Sequence, residues 1–84
     1  MPIISRFYGI VIRMYFQQAE HNPQHIHAIY GDHVASIIIE TGQILEGNLP
    51  KQAYKLVRKW VTENRDVLLH MWNTQEFKPL TPLE

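Results

Sequence analysis

The chain has 84 residues, of which 45% are hydrophobic, and its formal net charge is zero with histidine neutral. This length predicts a single domain, and the composition is that of a globular chain, which excludes wholesale disorder. The lack of cysteine excludes a disulfide framework, a thiolate metal site and a cysteine nucleophile, and it fits a reducing cytoplasm. The zero net charge disfavours a protein that coats nucleic acid by bulk charge.

Targeting and membrane segments are not expected. The first residues lack the charged stretch and long apolar run of a signal peptide. Nothing in the sequence approaches the roughly 18 apolar residues of a membrane helix. We therefore expect a cytoplasmic protein that does not enter a membrane.

The first 47 residues predict an antiparallel meander of four to five strands. Segments rich in β-branched and aromatic residues fall at 3–7, 10–16, 25–30, 33–40 and 43–46. Tyr8-Gly9 forms a turn or bulge between the first two segments. Gly31-Asp32 suits a type II′ hairpin turn, because glycine occupies its first central position.

The hairpin at Gly31-Asp32 predicts the side chains on each face of the sheet. Tyr30 pairs with His33, and alternation then gives an apolar face that meets the helical part. The residues of this face are Ile26, Ala28, Tyr30, Ala35, Ile37, Ile39 and Ile44. The opposite face is mixed and carries His25, His27, Ile29, Val34, Ser36, Ile38, Glu40, Gln43 and Leu45.

Residues 48–76 predict helix, with Asn48 as N-cap. Helical spacing gathers an apolar stripe of Ala53, Leu56, Val57, Trp60, Val61, Val67, Leu68, Met71 and Trp72. One long helix over 51–75 is the first interpretation. A break at residues 63–65 is the alternative, since Leu69 falls on the wrong face of a continuous helix. The predicted fold is α+β: a small sheet (1–47) packed against a long helix or helical hairpin (48–76), with an extended tail (77–84).

The segment from His21 to His27 holds three of the five histidines. Residues at i and i+2 of a strand point the same way, so His25 and His27 present their imidazoles side by side. Three interpretations stay open. The histidines are structural or line an interface, or they exchange protons in phosphodiester chemistry, or they bind a divalent metal together with His21.

Basic residues supply further candidates. Arg6 and Arg13 lie in the N-terminal strands, where either binds a phosphate in a nuclease or pairs with a carboxylate. Cations on the helix opposite the apolar stripe are candidates for contact with nucleic acid, against the alternative of a solvated face. These helix cations are Lys51, Lys55, Arg58 and Arg65.

The order of several motifs resembles a known family. They are residues 4–10 (ISRFYGI), 14–16 (MYF), 21–27 (HNPQHIH), 30–31 (YG) and 45–50 (LEGNLP), followed by Trp60, Leu68, Leu69 and Trp72. In this respect the chain is similar to the family of domain of unknown function 4160 (DUF4160). Glu20 and Gln24 depart from the more usual Asp and second Pro of the family motif.

The resemblance implies a small bacterial protein encoded beside a protein of the domain-of-unknown-function 2442 (DUF2442) type, as in a toxin–antitoxin pair. Our first hypothesis is therefore an interaction protein that associates with that neighbour, or with itself, through the mixed sheet face. The second is a nuclease that uses His25 and His27 with Arg6 or Arg13. The third is a metal-binding protein; apart from this metal, no cofactor is implied.

Overall fold

A computed structural model describes residues 3–15 and 23–83 of the chain. Five antiparallel strands form one sheet in the order β1-β2-β3-β4-β5. Their bounds are β1 Ile3–Phe7, β2 Ile10–Arg13, β3 His25–Tyr30, β4 His33–Ile38 and β5 Ile44–Gly47. Two helices follow, α1 Lys51–Glu63 and α2 Arg65–Thr74. The predicted α+β class and the meander are confirmed.

The turns between the first strands follow from their residues. Tyr8 and Gly9 both have positive φ, 51° and 79°, as in the type I′ turns whose twist matches that of paired strands. Gly31 has a φ of 58°, whereas Asp32 is not among the residues with positive φ, which is the pattern of the predicted type II′ turn. The predicted pairing of Tyr30 with His33 is confirmed.

Strand β5 departs from the prediction of simple alternation. A bulge at Ser36/Ile37 makes Ile44 pair with Ile37 and Glu46 pair with Ser36. Because the bulge inserts one residue, Glu46 and not the predicted Leu45 takes the place beside Ser36. The strand ends at Gly47, whose φ is 80°.

The single long helix of the first interpretation is wrong, and the predicted break occurs at Asn64. Its φ of −113° is not helical, and its Nδ2 donates a 2.8 Å hydrogen bond to the Trp60 carbonyl. The helix resumes at once, because the Leu68 amide donates to the Asn64 carbonyl at 2.9 Å. The changed phase brings Leu69, which a continuous helix would turn away, against the core.

The start of α1 is also different from the prediction. Pro50 precedes the first turn and no side chain caps it. Asn48 lies further upstream, where its Oδ1 accepts a 2.9 Å hydrogen bond from His33 Nδ1. The predicted N-cap thus ties the β5–α1 connection to the β3–β4 turn.

The core lies between the helices and one face of the sheet. Trp60 is fully buried there and its ring centroid is 5.7 Å from that of Phe7. The C-terminal residues join this core: the Thr81 carbonyl accepts the Trp60 indole N–H at 2.9 Å, and Leu83 is buried. The tail is therefore packed against the domain. No helix among the described residues is long and apolar enough to cross a membrane.

Candidate functional site

The sheet has two unequal faces. The inner face meets α1 and α2, and alternation along each strand turns the other residues to the opposite side, which we call the outer face. Most buried helix residues belong to the core on the inner side, but α2 reaches the margin of the outer face, where the Trp72 ring lies beside His25. The burial of Ile26 and Ala28 agrees with the predicted alternation, which turns His25 and His27 to the outer face; His25 nevertheless contacts α2.

The pairing register of strands β2 to β5 aligns four polar side chains across the outer face. Arg13 pairs with His27, His27 with Ser36, and Ser36 with Glu46. Directly opposite residues on neighbouring strands have Cβ atoms about 5 Å apart and lie on the same face. We call this line the polar row; its members are Arg13, His27, Ser36 and Glu46.

His25 lies beside the polar row with a fixed orientation. Its Nδ1 donates a 2.7 Å hydrogen bond to the Pro23 carbonyl, since a carbonyl oxygen only accepts. The proton of the neutral ring is thereby assigned to Nδ1, which leaves the Nε2 lone pair for a proton or another ligand. The ring centroid lies 5.1 Å from that of His27 and 5.2 Å from that of Trp72. Aromatic packing therefore supports the orientation that the hydrogen bond selects.

His27 is half-buried, and its surroundings favour the neutral ring. Burial lowers its pKa below the usual 6.5, the nearby His25 lowers it further, and Glu46 opposes both effects. The edge of its ring meets Tyr15, with the two ring centroids 4.4 Å apart and the planes nearly perpendicular. Its Nδ1 is buried and has no hydrogen-bond partner among the described residues. A buried polar nitrogen without a hydrogen-bond partner costs free energy.

Aliphatic side chains flank the polar row. In the next register row, Val11 pairs with Ile29 and Ile29 with Val34. Val34 is 51% exposed, although β4 is an interior strand of the sheet. On the other side of the row, Ile38 pairs with His25.

A depression of about 270 Å³ opens between the row and these side chains. It is lined by His27, Val34, Ala35, Ser36, Glu46 and Gly47. Ligand pockets for small molecules usually start near 300 Å³ and enclose their ligand. A shallow depression with a carboxylate, an imidazole and a valine side chain suits a protruding side chain of another molecule better than a buried cofactor.

Comparison with known families shows the family to which the chain belongs. The family model of Domain of unknown function (DUF4160) matches residues 9–73, which is most of the sequence. The chain belongs to the DUF4160 family. Comparison with curated proteins and with solved structures finds no match. The DUF4160 match contains the whole polar row, α1 and all of α2 except its last residue, but not β1 or the C-terminal tail.

The structure brings three of the predicted site residues of this DUF4160 domain together. His25 and His27 are neighbours, and Arg13 lies directly opposite His27. Arg6 pairs instead with Val11, on the edge strand and in another register row. Of the two arginines proposed to bind phosphate, Arg13 is therefore the one positioned beside the histidines.

Only two of the three predicted metal ligands, His25 and His27, lie within the described residues. His21 lies outside the described residues. Across residues 3–15 and 23–83, no three side chains of His, Cys, Asp or Glu are grouped so that they could hold a metal ion. His25 and His27 alone supply two nitrogens.

The predicted helix cations lie on two helices. Lys51, Lys55 and Arg58 are exposed on α1, whereas Arg65 is the first residue of α2, after the break at Asn64, and is partly buried. Contact of these residues with nucleic acid stays a prediction.

Two members of the polar row were missed as site residues. Ser36 was placed on the correct face by alternation but was given no role, since a lone serine in a strand carries little signal. Glu46 was hidden by the bulge, which changes the face of every residue after it. The Glu46 carboxylate comes near His27 because Glu46 pairs with Ser36 of β4, which in turn pairs with His27.

Proposed function

We propose that this DUF4160 protein is an interaction protein that binds a partner protein through the outer face of its sheet, as one member of a toxin–antitoxin-like pair. The observation that carries the proposal is Val34, an aliphatic residue on an interior strand that is 51% exposed. No described element covers it. An exposed apolar patch rimmed by polar groups is typical of a protein-binding surface.

The chemistry of the outer face supports both affinity and selectivity. Burial of the valine and its neighbours Val11 and Ile29 contributes about 25 cal/mol for each Å² of apolar surface removed from water. The polar row contributes a cation at one end, Arg13, and an anion at the other, Glu46. Such a charge pattern favours partners with the complementary arrangement and disfavours others.

Co-purification tests this function. The chain is expressed with an affinity tag beside the untagged product of its genomic neighbour, for which the DUF2442-type protein is the candidate. Val34→Glu places a charge in the centre of the contact, and we expect it to reduce the amount of co-purified partner at least tenfold. Thr62→Glu is the matched control, because Thr62 is also β-branched and exposed but lies on α1.

The outcomes separate cleanly when both variants keep the wild-type circular dichroism spectrum. Loss of the partner with Val34→Glu and its retention with Thr62→Glu support the outer face. Retention with both variants, or no co-purification by the wild type, contradicts the proposal.

A second candidate function, RNA cleavage, is favoured by the position of Arg13 opposite His27. In this mechanism neutral His27 takes the proton of a ribose 2′-hydroxyl, whose oxygen attacks the phosphorus. Arg13 stabilises the charge on the phosphate oxygens, and His25, which must enter the step protonated on both ring nitrogens, delivers its Nε2 proton to the departing 5′-oxygen. The available Nε2 of His25 and the lowered pKa of His27 suit these roles.

A matched pair of double variants tests the nuclease. His25→Ala with His27→Ala is expected to abolish cleavage of single-stranded RNA. His33→Ala with His70→Ala removes two exposed histidines elsewhere and should leave cleavage unchanged. Equal cleavage by both double variants, or none by the wild type, contradicts this function.

A further inference from the structure

We infer that the exposed side of α1 is a contact surface for the phosphates of a nucleic-acid duplex, separate from the outer face of the sheet. Four of the eight Lys and Arg residues of the chain lie on this one helix and are exposed: Lys51, Lys55, Arg58 and Lys59. We call this set the basic face. Outside α1 the chain holds four cations and seven acids, so the neutral total conceals a positive charge concentrated on one helix.

The helical repeat brings the basic face together. An α-helix advances about 100° per residue, which places the four cations within about 100° of its circumference and over about 12 Å of its length. The buried residues of α1, such as Val57 and Trp60, lie on the opposite side. The cations therefore point away from the sheet, where one rigid ligand can reach all of them.

The charges of the basic face are not compensated within the domain. Across residues 3–15 and 23–83, no ion pair joins any of these cations to an acid. Lys55 lies one turn from both Lys51 and Lys59, a spacing at which like charges repel. The first turn of α1 has no acid, and its one acid, Glu63, is its last residue. This is the reverse of what the helix dipole favours, so the helix carries a cost in stability that an external anion would offset.

The turn between β4 and β5 holds one of these cations in place. Gly42 has a φ of 76°, and a Cβ atom there would lie 3.1 Å from Cγ and 3.5 Å from Nε of Arg58. The turn thus packs directly on the arginine side chain. The Tyr54 hydroxyl donates a 2.6 Å hydrogen bond to the Gly42 carbonyl, which fixes the turn against α1. The Arg58 side chain therefore has less conformational freedom to lose on binding.

The composition of the basic face suits phosphates rather than bases. Neither aromatic residue of α1 offers an exposed ring, because Trp60 is buried and Tyr54 is partly buried against the turn. Single-stranded nucleic acid is usually bound by stacking of bases on such rings. A duplex instead presents about one negative charge per 1.7 Å of its axis, so that several phosphates fall within reach of the basic face. We therefore expect sequence-independent binding with a dissociation constant of about 10⁻⁴–10⁻⁶ M at physiological salt.

A fluorescently labelled DNA duplex of about 20 base pairs is the probe, because DNA lacks the 2′-hydroxyl that cleavage on the outer face would need. Lys55→Gln removes a central cation with little change in helix propensity. It should raise the dissociation constant about fivefold or more in about 0.1 M salt, and lower the slope of its logarithm against the logarithm of salt concentration by about 1. Lys78→Gln is the matched control, since Lys78 is exposed in the C-terminal tail, and it should change neither value.

Two further variants separate the basic face from the outer face. Thr62 lies on the exposed side of α1, one turn after Arg58, so Thr62→Glu should raise the dissociation constant of the duplex about tenfold or more while the partner protein is retained. Val34→Glu should give the opposite result in both assays, because Val34 lies on the other side of the sheet.

Fluorescence anisotropy measures duplex binding, with circular dichroism to verify that each variant is folded. Equal dissociation constants for Lys55→Gln and Lys78→Gln, or no binding by the wild type, overturn the inference. So does a single strand or a poly-glutamate chain that competes as strongly as the duplex. Failure of duplex binding with intact co-purification overturns this inference alone, whereas duplex binding without co-purification overturns only the proposed function.

Discussion

The two faces of one sheet have opposite tasks in this protein. Ile26 and Ile37, on the inner face, are fully buried against the helices. Their immediate neighbours His27 and Ile38, on the same strands, are turned to the outer face and are only partly buried. The side of the strand on which a residue lies therefore decides whether it serves folding or contact with other molecules. Three pairs of substitutions break or sharpen this comparison.

The largest expected effect comes from the same substitution at adjacent positions of β4. Ile37→Ala removes a fully buried side chain and should lower the free energy of unfolding by about 2–5 kcal/mol, because it loses packing and leaves a cavity. Ile38→Ala removes a partly buried side chain of the outer face and should cost about 1 kcal/mol. Urea unfolding at pH 7 measures both. Equal losses would show that the outer face stabilises the fold as much as the inner face does.

An intermediate effect is expected at Gly47, which lets the edge strand β5 approach β4. A Cβ atom there would lie 2.0 Å from the Val34 carbonyl oxygen, and the φ of 80° strains any L side chain. Gly47→Ala should therefore displace the end of β5 and cost about 2 kcal/mol or more.

The matched control for that substitution is Gly31→Ala. Gly31 also has a positive φ, 58°, but a Cβ there would meet nothing within 4 Å. Its cost should be limited to the backbone strain of about 1 kcal/mol. If both glycines gave the same loss of stability, the contact with Val34 would not be the cause.

The smallest effect is a pH dependence that arises on the outer face. The folded-state pKa of His27 lies below 6.5, so the unfolded chain binds more protons in the interval between the two values. The free energy of unfolding should therefore fall as the pH is lowered through this interval, and should not change on this account above it. His27→Gln should flatten the dependence between pH 7.5 and pH 5.

His70→Gln, at an exposed position of α2, is the control for this measurement. Urea unfolding across the pH range compares the two variants with the wild type. A slope that is the same in the wild type and in His27→Gln would show that the burial of the ring does not affect stability.

The part of the fold that could be predicted from the sequence is the part controlled by local signals. The β3–β4 hairpin was predicted with the correct register, because Gly31-Asp32 specifies the turn and a strict alternation of apolar residues specifies the faces. The same alternation placed His25 and His27 correctly. Arg13 was identified as a candidate, but its position opposite His27 depends on pairing between β2 and β3, which no local signal reveals.

The features that sequence reasoning missed depend on tertiary contacts. The bulge that brings Glu46 to the polar row is produced by pairing with β4, and alternation predicted Leu45 in its place. The packing of the tail depends on the Trp60 indole, which needs an acceptor and finds the Thr81 carbonyl. A buried polar group selects its partner only after the chain has folded around it.

The 2.7 Å hydrogen bond from His25 Nδ1 to the Pro23 carbonyl has a spectroscopic consequence. A hydrogen-bonded ring proton exchanges with water more slowly than that of a free imidazole, so we expect it to give its own resonance, separated from the backbone amides, in a proton NMR spectrum at low temperature. The ring also touches Trp72 and His27, whose π-electrons shift that resonance. The chemical shift of this proton can therefore report on binding. A partner that binds at the neighbouring His27 ring should change this shift, and no label needs to be attached.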